Sequence, residues 1–365
     1  MRIKALLAVK AGEPFMIEAA DLEEPRDGEI LVNIGAAGIS HIDLLGRDGD
    51  LSVPLPAVFG REAAGTVERI GAAVTGFAPG DHVVLTFHTG ELGYGMAEGG
   101  LVYGSDVFDL NFSGFRPDGS SPLKWKGQKV AGAFFGQSSF ATHALVPARN
   151  AVRVEKDLPF ELLAPFGGDF QTGAGAVINT LRPRPGCAIA VFGAGVIGLS
   201  AIMAADLAGC HPIIAVDIKA SRLELAEALG AAVIIDPDGL EAVDAIREIT
   251  KGGAEFSVDT TGLTGSMRQA ADCLAPGGIC ALAGMGKRVA GASFNLRSLL
   301  EGRTVRGSLF GGGVPALFIP SLLDSHRRGR FPADRIIQQY RFEDINKAAD
   351  DAISGAAVKA VLTMA

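Results

Sequence analysis

The stretch Gly193-Ala194-Gly195-Val196-Ile197-Gly198, with Asp217 nineteen positions after its last glycine, has the residue types and spacing to hold a dinucleotide. Gly193 permits a tight turn, Gly195 lets a pyrophosphate come close to the main chain, and Gly198 lets a helix lie against a strand. Val196 and Ile197, between the second and third glycines, are further cofactor-contacting candidates, and the N-terminus of the helix that follows offers free N–H groups and a positive dipole end to phosphate. Asp217 can accept hydrogen bonds from the adenosine ribose and repels a 2′-phosphate, so NAD(H) is expected rather than NADP(H). Lys219 and Arg222 oppose that preference, because either can meet a phosphate, and Arg222 counts among the cofactor-contacting candidates. Glycines at this spacing also occur in turns that hold no ligand. Here an apolar strand runs into Gly193 and a helix of small and apolar residues leaves Gly198, which is the setting the chemistry requires.

Those residues must be carried by alternating elements. From about residue 170, apolar runs at Ala188–Phe192, Ile213–Val216, Ala232–Ile235, Phe256–Val258 and Ile279–Ala283 read as buried strands. Helix-like segments intervene, most clearly Leu199–Leu207 and Arg222–Leu229. Such alternation predicts a doubly wound parallel sheet. The first 150 or so residues differ. Short runs such as Ile30–Ile34, Gly65–Ile70 and His82–Phe87 are bounded by Pro/Gly/Asp turns, which predicts a compact β-rich domain. Residues 89–130 are glycine-rich and read as one long excursion loop. After Gly311 a helical segment and a last strand, Ala357–Met364, are expected. The domains expected are therefore 1–169, with 312–365 returning to it, and 170–311.

A chain of 365 residues is long enough for two cores. A net charge of −8 argues against a nucleic-acid partner, which needs a basic face. No apolar run reaches the roughly 20 residues a membrane span needs, and the opening residues read as a strand rather than a signal peptide, so a cytoplasmic location is expected. The four cysteines are scattered through the second half without a Cys-x-x-Cys pair, which suits buried thiols in a reducing compartment.

Several further motifs resemble the zinc-containing alcohol dehydrogenases of the medium-chain dehydrogenase/reductase superfamily, the aryl (benzyl) alcohol dehydrogenases above all. They are Pro56-Ala57-Val58-Phe59-Gly60, Pro79-Gly80-Asp81-His82-Val83, Leu110–Gly114, Phe134–Phe140 and Gln171-Thr172-Gly173-Ala174-Gly175. The resemblance covers essentially the whole chain. It implies a GroES-like catalytic domain joined to a Rossmann domain, and a homodimer or homotetramer. It also implies cofactor contacts from Thr172, His41, Met285 and Lys359.

Catalysis in that family rests on a zinc ion held by two cysteines and a histidine. The matching positions here are Ser40, Arg61 and Gly168, and the four-cysteine structural zinc lobe is replaced by Gly90, Gly93, Met96 and Gly104. An arginine cannot ligate a metal because it stays protonated, so no zinc is expected at either place. Ile42 stands where the family's proton relay begins with a hydroxyl. Arg61 is the candidate to replace the metal as a fixed cation that stabilises developing negative charge, with Asp43, Glu62 and Asp169 as its carboxylate partners. A salt bridge that merely fills the vacated site is the plainer reading of the same residues. Ser40 is a candidate hydrogen-bond donor and His41 a candidate base. His88 and Tyr94 are weaker candidates for proton transfer.

Phe87, Phe134, Phe135 and Ile42 are the expected apolar wall of a small-molecule pocket. The function expected is zinc-independent hydride transfer to or from an apolar carbonyl or alcohol (aromatic, allylic or terpenoid-like) or a conjugated C=C or C=N bond. A dinucleotide-binding protein without turnover, serving a structural or regulatory role, is the alternative.

Overall fold

The computed structural model describes residues 1–88, 95–97, 100–102, 106–237, 241–286 and 291–364. Its second half holds six parallel strands in the spatial order Val233–Ile235, Ile213–Val216, Ile189–Phe192, Ala254–Asp259, Leu274–Leu282, Thr304–Gly307. Numbered by sequence this is 3-2-1-4-5-6, the doubly wound order, with its switch point between the first and fourth strands. A crevice must open beyond the carboxyl ends of those two strands, and there Phe192 leads into Gly193 and Asp259 into Thr260. The helix Val196–Leu207 covers one face, with Leu199 to Ala205 buried, because its small side chains let it lie close to the sheet.

The first half is antiparallel. Glu29–Gly38 is its central strand and pairs with Ala63–Ile70, His143–Pro147 and the C-terminal strand Lys359–Thr363. Apolar residues of this sheet pack against those of Arg2–Ala8 and Met16–Leu22 in one continuous core. The C-terminal pairing sets Val361 opposite Gly38, and the Ile39 N–H donates to Ala360 O at 2.9 Å, so Lys359 comes alongside Ser40 and its neighbours.

Residues 89–130 are not one loop. Val107–Phe112 is a helix, and Leu123–Trp125 and Gln128–Lys129 extend the N-terminal sheet. The helix is too short to show a clear period. It is tied down by Asn111, whose side chain accepts from His88 N and donates to His88 O, both at 2.8 Å. The end of the chain also holds more than expected: two helices, Pro315–Arg327 and Ile345–Ser354, with the strand Ile337–Arg341 between them. Among the described residues, no helix is long and apolar enough to cross a membrane.

Candidate active site

A crevice of about 990 Å³ runs from the glycine turn to the β-rich domain. At its nucleotide end Gly193 has φ +88°, a value that favours glycine. A side chain at Gly198 would collide with Gly193 O, whereas one at Gly195 would meet no protein atom and would project into the crevice. No side chain caps the helix that starts at Val196, so its first-turn N–H groups are left to the crevice. Asp217 braces the turn: Oδ2 accepts from Ala194 N at 2.6 Å and Oδ1 from Lys219 N at 2.8 Å.

Thr172 and Ile197 line the middle of the crevice with Met285. The helix Asp169–Gly175 carries Thr172 there and lies directly on the glycine-turn helix. A side chain at Gly173 would meet Ile197 O, and Ser200 Oγ donates to Phe170 O at 2.6 Å.

At the far end stands a buried group of charges. Arg61 Nε donates to Ser40 Oγ at 2.8 Å, and its Nη2 pairs with Asp169 Oδ1. Ser40 Oγ lies 3.4 Å from the same carboxylate oxygen. Lys359 Nζ donates to Asp169 Oδ2 at 2.6 Å and to Ile39 O at 2.9 Å, and it also pairs with Glu62. Glu62 Oε2 accepts from Asp169 N at 2.7 Å. Asp43 accepts from the N–H groups of Ser40 and Gly60, each at 2.9 Å, and so starts the helix His41–Arg47 while fixing the Gly60 turn. Ser40, His41, Ile42, Arg61 and Asp169 reach the crevice.

Burial raises the Glu62 carboxyl to about 7, and the Asp169 charge adds to this against the pull of Lys359 and Arg61. Burial likewise raises Asp43 to about 6. Asp169 goes the other way: against the cost of burial, Lys359 and Arg61 hold it below the ordinary carboxylate range. The same pairing keeps Arg61 and Lys359 protonated although both are buried.

Several candidate residues stand elsewhere than expected. Lys359 is wholly buried in the charge group, so its ammonium does not face a pyrophosphate. Arg222 Nη2 donates to the carbonyls of Gly355 and Ala357 at 3.0 Å, which engages that nitrogen with the segment after the helix Ile345–Ser354. Lys219 does the same with Ser354 O at 2.6 Å. Glu62 and Asp43 are fully buried behind Arg61 and do not face the crevice.

Phe87, Phe134 and Phe135 lie one layer back. They buttress Phe112 and Phe310, which do form the wall with Phe108: Phe87 and Phe135 stand 4.4 and 5.4 Å from Phe310, and Phe135 stands 5.1 Å from Phe112. His88 is buried, hydrogen-bonds Arg149 at 2.9 Å, and is held near pKa 4 by burial and that guanidinium. Tyr94, Gly90, Gly93 and Gly104 lie outside the described residues, as does the side chain of Met96.

Sequence reasoning missed Lys359 as a partner of Asp169, and it missed Phe108, Phe112 and Phe310. Leu110–Gly114 was recognisable as a motif but sat in a presumed loop. Nothing local marks Lys359.

The signature of an alcohol dehydrogenase GroES-like domain matches residues 26–156, and that of a zinc-binding dehydrogenase matches residues 196–324. A geraniol dehydrogenase from Castellaniella defragrans is 42% identical over 98% of this chain and 97% of its own length. An alcohol dehydrogenase zinc-binding domain protein from Burkholderia ambifaria is 46% identical over 100% of this chain and 99% of its own, with a TM-score of 0.96. The benzyl alcohol dehydrogenase of Acinetobacter calcoaceticus is 40% identical, with a TM-score of 0.95 and full coverage of both chains. The chain belongs to the zinc-type alcohol dehydrogenase family of the medium-chain dehydrogenase/reductase superfamily, and is an oxidoreductase of the alcohol dehydrogenase type.

Proposed function

We propose that this enzyme uses NAD(H) to reduce or form an apolar carbonyl of aromatic, allylic or terpenoid-like character, with the Arg61 guanidinium in the role the family gives to zinc. The observation that carries this reading is the setting of Arg61. Nε and Nη2 are held by Ser40 and Asp169, while Nη1 makes no hydrogen bond among the described residues and lies close to Gly168, and the side chain lines the crevice. A guanidinium fixed in this way can donate to a substrate oxygen and stabilise the charge that develops on it, at no cost of reorganisation. Zn²⁺ does not fit this donor set. It needs three or four neutral or anionic ligands, and the centre of the site is filled by a permanent cation already paired with the nearest carboxylate.

NAD(H) fits the other end. The glycine turn, the uncapped helix N-terminus and the Asp217 carboxylate suit a pyrophosphate and an unphosphorylated ribose. Lys219 and Arg222, the two cations that would favour a 2′-phosphate, are both engaged by carbonyls at the end of the helix Ile345–Ser354. The bound cofactor supplies or accepts the hydride. The chain's part is to seat it on Thr172, Ile197 and Met285, to orient the substrate oxygen on Arg61, and to exclude water with Phe108, Phe112, Phe310 and Ile42. Geraniol and benzyl alcohol dehydrogenases among the relatives support an allylic or aromatic substrate. A conjugated C=C or C=N bond suits the same cation, since hydride can go to carbon while Arg61 holds the activating group.

The test is a panel of benzaldehyde-type, enal, enone and iminium substrates, run with NADH and with NADPH. Turnover with NADH on at least one class, lost in Arg61→Ala, is expected. Tight NADH binding with no turnover across the panel would favour a dinucleotide-binding protein without catalysis.

A further inference from the structure

The charges behind Arg61 do not balance. Three carboxylates, Asp43, Glu62 and Asp169, share a buried volume with two cations, Arg61 and Lys359, and each of the five is at most 3% exposed. An uncompensated buried charge is costly, and binding one proton removes it. Asp43 is poorly suited to take that proton, because both its oxygens accept backbone N–H groups, which favour the ionised form. Asp169 is paired with both cations. That leaves Glu62. Its carboxylate lies in a slot between Gly38 and Gly168, where a side chain on either glycine would fall on its oxygens, and it pairs with one cation, Lys359, where Asp169 pairs with two.

A continuous line of polar atoms leads from Glu62 to the crevice: Glu62, Lys359 Nζ, Asp169 and Ser40 Oγ. Ser40 is the member of that line able to donate a proton where Arg61 holds the substrate oxygen, since the guanidinium itself does not deprotonate. It also offers a hydroxyl on the crevice side, which Ile42 cannot. We propose that Glu62 is a buried proton store, and that Ser40 delivers its proton to the substrate oxygen by way of Lys359 and Asp169.

This rests on the carbonyl-reducing reading above. As hydride forms a new C–H bond, the C=O π pair becomes a lone pair on oxygen, and that oxygen takes the proton of Ser40 Oγ. Asp169, ionised at rest, takes a proton from Lys359 and as a neutral carboxyl turns to pass it to Ser40, while Lys359 takes one from Glu62. Only Glu62 ends a proton poorer, and it is recharged from water along the same line once product leaves. Alcohol oxidation runs the line backwards. Glu62 faces Asp169, Lys359 and Arg61, and the balance of burial and these charges keeps its proton exchangeable near pH 7.

Two measurements test this. Infrared titration of the protein without ligands should show a protonated-carboxyl stretch that fades as pH rises through about 7 and is missing from Glu62→Gln. In steady-state reduction, Ser40→Ala should lower kcat by about 100-fold, the scale of a lost general acid, with the NADH dissociation constant unchanged. Ser40→Thr should restore most of that loss, and Glu62→Gln should flatten the limb of the kcat profile near neutrality. A Ser40→Ala enzyme with wild-type kcat and pH profile overturns the proposal, as does the lack of any carboxyl band assignable to Glu62. A wild-type protein without turnover on any carbonyl removes the catalytic reading as well, whereas a missing band in a protein that turns over removes the proton store alone.

Discussion

The two ends of the crevice are built on different principles. The end proposed for the nucleotide is built mainly of main chain: a glycine turn, a helix N-terminus, and one carboxylate that braces the turn. The substrate end is built of side chains gathered from four distant segments, around Ser40, Arg61, Asp169 and Lys359. A site made of backbone tolerates little change, because its geometry is the fold. A site made of side chains can exchange one chemistry for another while the fold around it stays put. That contrast suits a chain whose overall structure superimposes on a benzyl alcohol dehydrogenase with a TM-score of 0.95 and whose crevice is lined by Arg61.

Breaking the substrate end should have the largest effect. Arg61→Ala leaves Asp169 and Glu62 short of a partner in a buried volume. It is expected to cost about 3–5 kcal/mol of stability, read by chemical denaturation, together with at least a 100-fold loss of kcat/KM. Arg61→Lys keeps the charge and should recover most of the stability but little of the activity, because the guanidinium fork is lost.

The nucleotide end should respond in binding. Asp217→Ala removes the brace on Ala194 and the expected ribose contact. NADH affinity should fall about tenfold, which is about 1.4 kcal/mol, and discrimination against NADPH should weaken, both read by fluorescence titration. Unchanged selectivity would sever Asp217 from cofactor choice.

The pH dependence of stability separates the two ends more finely. The folded Glu62 carboxyl sits near 7, above its ordinary value of 4.5, so between those values the native state holds more protons than the unfolded one. Its contribution to stability therefore declines as pH rises from about 4.5 to 7 and is level beyond. Glu62→Gln should remove that decline, as seen in denaturation midpoints taken across the window. A wild-type curve that rises over the same range from this group would contradict the assignment.

The smallest effect on cofactor binding is expected at Arg222. Arg222→Ala loses two hydrogen bonds to the segment after Ile345–Ser354. It should cost about 1–3 kcal/mol with NADH affinity within twofold of wild type, whereas a residue that contacts the cofactor would shift affinity more than stability.

The same contrast explains what could be read from the residues alone. Gly193, Gly195 and Gly198 announce their role because the turn, the close approach and the helix contact are local backbone requirements that few residues meet. The parallel strands were legible for a similar reason: buried strands are short apolar runs, and the observed Ile213–Val216 has the bounds its sequence suggests. The charge group was only half legible. Arg61 and Asp169 stood out as departures from the family pattern, but Lys359 reaches Asp169 across 190 residues through the pairing of the last strand with Glu29–Gly38. The apolar wall of the crevice was not legible because phenylalanine occurs 20 times, and hydrophobicity does not say which rings face a cavity and which stand behind them. Phe134 and Phe135 looked like a wall, yet it is Phe112 and Phe310 that they support.

The central claim is that a fixed guanidinium does the work of a metal. Its most direct test is to measure turnover with NADH and an aromatic or allylic aldehyde alongside the zinc content of the same purified protein, before and after chelation. The account predicts full activity at substoichiometric zinc, unaffected by chelator and abolished by Arg61→Ala. Activity that rises in proportion to bound zinc, and is lost and regained with the metal, would contradict it.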